Sequence, residues 1–337
     1  MRTFVKVLVA VGVLGAISTG FVAGSDAAVS TAHNRSYVTG KYELQLEGVN
    51  SGFATQFYGG SAVADVVAEK LGPDHIQKKH LGPVKYEEIS LSVGTGMSRS
   101  FYEWIKNTLA RSTKDARKSG AVVAMDYNYN AITQLDFNKA YLTEIGFPAL
   151  DASSKDAARL TVSFAPEWTK RKTLSGAVQH HENAQVQKAW RVSDFRLKLK
   201  GLESDLARVN KIEPLVIKQK VVQNPVGELR DYETEPATLE IPNLVFTLPE
   251  SHAQAVYAWH QSFVIDGNNG DAQEKTGTLE LLAPDLKTVY FTLSFYGVGI
   301  VRVAPEKVEA GSENIRRVKV TCYVENMTFD YTGGTTH

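Results

Sequence analysis

The sequence predicts a mainly β protein made of two tandem β-barrels, each with one capping α-helix. Three observations lead there. Apolar and polar residues alternate along most of the chain, the period-2 signature of half-buried strands. Short motifs return in the same order about 155 residues later. Each half also holds one apolar stripe at helical spacing, opened by a serine.

The internal matches stay in register. Tyr42–Gly48 returns as Phe195–Gly201, and Ile89-Ser-Leu91-Ser-Val93 returns as Leu244-Val-Phe246-Thr-Leu248. Phe101-Tyr102-Glu-Trp104 returns as Val256-Tyr257-Ala-Trp259, and Leu160–Phe164 as Val318–Cys322. The offset drifts from 153 to 158, as loop insertions would produce. A period of this size fits a duplicated domain rather than a solenoid unit. The expected organisation is a signal segment at 1–28, a first barrel at 35–170, a linker at 171–189 and a second barrel at 190–332.

In the first half, Leu44/Leu46, Ile89/Leu91/Val93, Leu135/Phe137 and Leu160/Val162/Phe164 mark strands. In the second, Leu197/Leu199, Leu244/Phe246/Leu248, Leu279/Leu281, Tyr290–Phe295 and Val318–Val324 do the same. Gly59-Gly60, Gly72-Pro73, Gly82-Pro83, Gly267–Gly270 and Gly333-Gly334 read as turns. Ala62–Leu71 fits a helix or a strand, and its β-branched counterpart Leu215–Val222 decides for strand. Ser100-x-x-Glu103 and Ser251-x-x-Gln254 read as capping boxes. They open stripes of Phe101, Trp104, Ile105 and Leu109, and of Val256, Trp259, His260 and Phe263. Both tryptophans are expected in the core. Residues 170–189 are polar, with no proline and little glycine, so a partly helical linker is expected there.

Lys+Arg and Asp+Glu both number 37, so there is no global field to attract nucleic acid. Hydrophobic residues at 43% argue against disorder. Arg2 and Lys6 precede an apolar run from Val7 to Ile17, with small residues around Ala23–Ala28. This is the layout of a secretory signal peptide, the other readings being a retained anchor helix or arm. Cys322 is the single cysteine, which excludes an intramolecular disulfide, and its apolar neighbours make it a core residue. Asn34-Arg-Ser36 and Asn326-Met-Thr328 fit the glycosylation pattern.

No catalytic, cofactor-binding or metal-ligating residues are predicted. His75, His80 and the His180-His181 pair lack the carboxylate or cysteine company of a zinc site. Gly94-Thr-Gly96 lacks the third glycine of a dinucleotide loop, and Ser98 and Ser100 lack a nucleophile elbow. Glu87-Glu88, read as part of a strand, point to opposite faces, and Gln77–His80 reads as a solvated loop. An enzyme whose residues are scattered in space is left as a third class of function.

One stretch, Lys79-His-Leu-Gly82-Pro83-Val-Lys85-Tyr86-Glu-Glu-Ile89-Ser-Leu91, resembles the tail tube proteins of contractile bacteriophages. These are related to the haemolysin-coregulated tube protein of type VI secretion. Phe101-Tyr102-Glu-Trp104 and Asn138-Lys-Ala140-Tyr141 are similar to that family's helix and its step before the last strands. The resemblance covers most of 38–170 and, through the internal matches, 190–332; the second half lacks the Leu-Gly-Pro turn and has Glu233-Thr-Glu-Pro236 instead. It implies a structural, non-enzymatic subunit without cofactors. Barrels would join edge to edge into rings, three chains giving a pseudo-hexamer, and rings would stack into a hollow tube or surface filament. The partners implied are other copies of the chain and sheath, baseplate or other tail-like components, with nucleic acid only as passing cargo. The alternative is a secreted two-barrel binding protein that does not polymerise. The signal layout implies a secreted or cell-surface protein, against a virion tail or cytoplasmic assembly for a phage protein.

Export predicts that mass spectrometry of native material finds a chain lacking roughly the first 20–30 residues. An assembled protein that retains Met1 or Arg2 would refute it.

Overall fold

A computed structural model describes residues 40–69, 77–112, 115–178, 188–225, 232–307 and 315–332. The expected signal segment, His75, the His180-His181 pair and the Gly72-Pro73 and Gly333-Gly334 turns lie outside these residues.

Strands β1 (Lys41–Leu46) and β2 (Val49–Gly59) form the opening hairpin. Glu47 and Gly48 turn the chain with φ of 51° and 80°, the two-residue geometry that matches strand twist. Glu47 is held in this left-handed conformation by two bonds to Ser119: its N–H donates to the Ser119 carbonyl, and its Oε1 accepts from the Ser119 N–H. The chain continues through β3 (Ala62–Glu69), β4 (Lys78–Tyr86) and β5 (Ile89–Val93), then helix α1 (Arg99–Leu109). Next come β6 (Lys118–Met125), the long β7 (Ala131–Phe147), β8 (Leu150–Asp151), β9 (Leu160–Ala165) and β10 (Trp168–Thr173).

The hydrogen-bonded order β7-β6-β1-β2-β5-β9 closes on itself, because β9 also pairs with β7. The result is a closed six-strand barrel, which leaves no free edge within the ring. Its interior collects Leu44, Leu91, Val122, Phe137, Leu142 and Phe164, all buried. Alternation along each strand sends these side chains inward.

The second half begins with β11 (Phe195–Leu199), a single-turn helix α2 (Glu203–Leu206) and β12 (Lys211–Ile212). It continues with β13 (Leu215–Pro225), β14 (Tyr232–Glu240), β15 (Leu244–Pro249), helix α3 (Gln254–His260), β16 (Lys275–Leu282), β17 (Val289–Pro305) and β18 (Arg317–Tyr331). Its sheet has seven strands in the order β11-β16-β17-β18-β15-β12-β8. Between β11 and β12 stands α2 rather than a ladder, with Leu202 and Leu206 buried beneath it.

Both long helical stripes are buried as expected, but their caps are not the serines expected. Helix α1 starts two residues earlier in sequence: Ser98, not Ser100, accepts the Phe101 N–H at 3.3 Å. Helix α3 follows a 3₁₀ turn at Glu250–His252 and has Ala253 at its N-cap, which offers no side-chain acceptor; the Asp205 carboxylate of α2 accepts the Ala255 N–H at 2.8 Å instead. It then widens into a π turn at Gln261–Ile265. Trp104 is fully buried, packs on Phe164 at 5.4 Å and donates its indole N–H to the Ala116 carbonyl at 2.8 Å. Trp259 is also buried, against Phe263, with the Lys275 ammonium over its ring at 5.2 Å. Cys322 is buried in the core of the second half, and burial pushes its thiol pKa up.

Other expectations are corrected. Gly82-Pro83 is no turn: it sits within β4, where Ala64 pairs with Val84 and Val66 with Leu81, so the extra residues form a bulge. A bulge tolerates proline because its N–H has no ladder partner to supply. Lys78–His80, expected as loop, is the start of β4, and Glu87-Glu88 lie between β4 and β5 rather than on a strand. The helical linker expected from 170 begins instead as β10, since Thr169, Arg171 and Thr173 alternate against β7 and Lys172 ion-pairs with Asp136.

Trp104→Ala should lower unfolding free energy by about 3–5 kcal/mol, the cost of deleting a large buried aromatic. Ser98→Ala should cost about 1 kcal/mol through loss of the cap. Denaturant titration monitored by circular dichroism measures both.

Candidate assembly interface

The structure joins its two halves by adding strands to sheet edges. Strand β13 leaves the second half after Ile212 and lies antiparallel on the open side of β7, pairing Leu215 with Phe147, Val216 with Gly146, Ile217 with Ile145 and Lys218 with Glu144. In exchange, β8 of the first half pairs with β12 of the second, Leu150 opposite Ile212 and Asp151 opposite Lys211. Backbone groups at a sheet edge need partners, and each half supplies them for the other. Leu215, Ile217, Ile145, Phe147 and Leu150 are all buried at this seam.

Helix α1 reinforces the junction with its second face. Tyr102 is 2% exposed and contacts Phe291 at 5.3 Å, Phe329 at 6.4 Å and Tyr331 at 5.2 Å. Desolvation pushes the Tyr102 phenol up. Lys106 ion-pairs with Asp330, and the Tyr331 hydroxyl donates to Glu103 at 3.3 Å. Glu103 also accepts from Arg99 at 2.7 Å, which holds its carboxyl below the usual range. Phe147 meets Phe329 at 5.9 Å, so one apolar core runs through both halves.

The same local geometry occurs elsewhere without a partner. The β7–β9 ladder slips by a residue between Leu142 and Glu144, and the β17–β18 ladder slips between Ile300 and Arg302. Beyond its slip, β7 accepts β13; beyond its own, Arg302–Pro305 of β17 pairs, among the described residues, only with β18, since the β16 ladder on β17 stops at Val298. Val301 beside that edge is 50% exposed.

Among the described residues, the β3–β4 hairpin likewise has no strand beyond its own pair, β4 meeting the side of β10. It pairs Val63 with Lys85 and slips between Ala64 and Val66, while the β13–β14 hairpin pairs Lys218 with Glu240 and slips between Gln219 and Val221. Yet β3–β4 forms a two-stranded sheet of its own, with Val66 and Leu81 61% and 72% exposed. An isolated two-stranded ribbon is marginal in water, so these apolar residues lack the cover that β13 obtains from β7. Tyr257, on α3, is 38% exposed where Tyr102 on α1 is buried.

The sequence reading named no site residues for this region. Of the residues weighed for chemistry, His80 lies exposed on β4, 3.6 Å from Glu69, Gly94–Ser98 precede α1 and Ser100 lies in its first turn. Among the described residues no group of three or more His, Cys, Asp or Glu side chains could hold a metal ion, and no helix is long and apolar enough to cross a membrane. The seam itself was hidden because edge pairing is carried by backbone groups, which every residue possesses; only Val63, Val66 and Val67, apolar on an exposed ribbon, hint at it.

Residues 39–169 match the family model of the T4-like virus tail tube protein gp19. No curated protein matches the chain. Among solved structures, the chain is similar to the tube-terminating cap of the anti-feeding prophage, at 18% identity over 43% of this chain and 99% of that one, TM-score 0.35. It is similar to a chain of the PVC sheath–tube complex, an extracellular contractile injection system in its extended state, at 12% identity over 46% and 100%, TM-score 0.33. It is also similar to Hcp1 from Flavobacterium johnsoniae, at 11% identity over 41% and 95%, TM-score 0.25.

Ile217→Asp would place a carboxylate in the buried seam. It should lower the stability of the whole described body by about 3 kcal/mol or more. Glu240→Ala, on the exposed strand β14, should stay within about 0.5 kcal/mol of the parent. Thermal melts of both variants provide the check.

Proposed function

We propose that this chain is a structural tube subunit whose two halves, one a closed barrel and the other an open seven-strand sheet, are versions of one unit, and that its copies join side by side into rings that stack into a hollow tube or surface filament. The observation that carries the reading is the edge-strand seam between its halves, together with the bare edge and bare hairpin that match it. The family match over 39–169 supports the tube class.

Taken as copies, the halves align β3–β4 with β13–β14 at an offset of 155 and β9 with β18 at 158. On that alignment the interior seam defines an outer one. The β3 hairpin of one chain meets the Arg302–Pro305 edge of the next, Ala62 facing Val303 as Ile217 faces Ile145. Tyr257 then occupies, between chains, the place that Tyr102 holds within one. A head-to-tail contact of this kind closes when the rotation permits, and three two-barrel chains give six barrels around an open centre. The near-balance of charge, 37 against 37, leaves stacked rings without strong mutual repulsion. The role needs no catalysis and no cofactor. Sheath, baseplate or cap components of a contractile system are its further partners, and nucleic acid is at most cargo. The site of action is a virion tail or an extracellular injection system, with export by the N-terminal segment.

Light scattering and negative-stain microscopy of the mature protein test the reading, the expected result being rings or tubes that grow with concentration. A chain carrying Ala62→Cys with Val303→Cys should form disulfide-linked multimers under mild oxidation, while either single variant should not. A protein that stays monomeric at about millimolar concentration would instead be the two-barrel binding protein.

A further inference from the structure

A cavity of about 360 Å³ lies where the loop before β9 meets the segment leading into β11. Four cations line it, Lys155 and Arg159 from the loop and Lys188 and Arg191 from the segment, and no carboxylate does. None of the four is ion-paired among the described residues, whereas the cations at the seam and along the strands commonly are. The nearest acid in sequence, Asp156, instead accepts the Ser154 hydroxyl at 2.9 Å. All four cations are exposed, so solvent softens their mutual repulsion, and an anion placed among them meets four positive charges and no carboxylate.

The backbone that carries these cations is fixed. The Ala158 N–H donates to the Trp190 carbonyl at 2.9 Å, the Val192 N–H donates to the Asp156 carbonyl at 3.1 Å, and Ala157 bridges to Arg191. The Lys188 carbonyl accepts the Thr95 hydroxyl at 2.8 Å. Trp190 is buried behind the wall, edge-on to Phe291 at 5.3 Å, and anchors the segment. Alanine and glycine make up much of the remaining lining, with Trp190 its one large apolar residue, which leaves room between the long charged side chains.

We propose that this cavity binds a small molecule bearing clustered phosphates. Two arginines supply planar forks that match phosphate oxygens, and two lysines supply compact charges, so a multivalent phosphate uses all four where a single carboxylate could not. The volume lies at the lower end of small-molecule sites. A nucleic acid is the poorer fit, because a chain with 37 cations and 37 anions offers no global field along which a backbone could be drawn. The ligand would tie the loop of the first half to the segment entering the second, and so should raise the melting temperature. This site involves none of the edges proposed for ring assembly.

Calorimetric titration of the whole protein with inorganic tripolyphosphate, at constant ionic strength, tests the proposal. The expected result is one molecule bound per chain, with affinity falling roughly tenfold for each of Arg159→Gln and Arg191→Gln. Lys155→Gln with Lys188→Gln is the second variant should either arginine change impair folding, which melts without ligand would show. Arg208→Gln and Lys287→Gln, outside the cavity, should bind as the parent does. No binding at about millimolar tripolyphosphate, equal losses in these control variants, or tighter binding of an oligothymidylate than of tripolyphosphate would each overturn it.

Discussion

A sheet edge carries a row of backbone N–H and carbonyl groups that must find partners, and this requirement organises the whole molecule. The first half meets it by closure, since β9 returns to β7 and completes a six-strand ring. The second half does not close in the same way. After β11 its chain forms α2 and the two-residue β12, and β13 then departs to the other sheet. The strand that could have completed one sheet thus extends its neighbour, and β8 is lent in return.

That exchange explains the burial pattern better than two independent barrels would. Tyr102 is on the first helix but packs against Phe291, Phe329 and Tyr331 of the second half. Phe147 reaches Phe329, and a single apolar cluster includes Leu44 and Cys322 alike. Helix α1 therefore has two working faces: Trp104 covers its own barrel while Tyr102 is committed to the junction. Helix α3 uses only the inner one, with Trp259 and Phe263 buried and Tyr257 left outside.

The mainly β class, the strands and the burial of Trp104 and Trp259 were legible because they rest on side-chain periodicity, which a sequence displays directly. Leu160, Val162 and Phe164 alternate and are buried; Val318, Val320 and Cys322 repeat the pattern. Comparing the halves also resolved Ala62–Glu69 correctly as a strand. The misses have a common cause. Ser98 and Ser100 are equally good caps on paper, and only the φ, ψ of the preceding chain selects Ser98. Gly82-Pro83 carries turn chemistry, yet a bulge uses the same residues for the same reason, a missing N–H and a permissive backbone. The seam is least legible of all, because a ladder of backbone bonds leaves almost no compositional mark.

The exchange of β8 and β13 has a consequence for how an assembly of such chains would come apart. Within one chain the two strands are held near their acceptors by short connections, Glu213 and Pro214 alone separating β12 from β13, so re-docking is unimolecular and indifferent to dilution. A contact at Arg302–Pro305 has no such connection and must be re-formed by collision. Alternate joints around a ring would then differ in their order of reaction. Dilution would open every second joint and release intact pairs of barrels, so exchange between tubes would proceed in units of two.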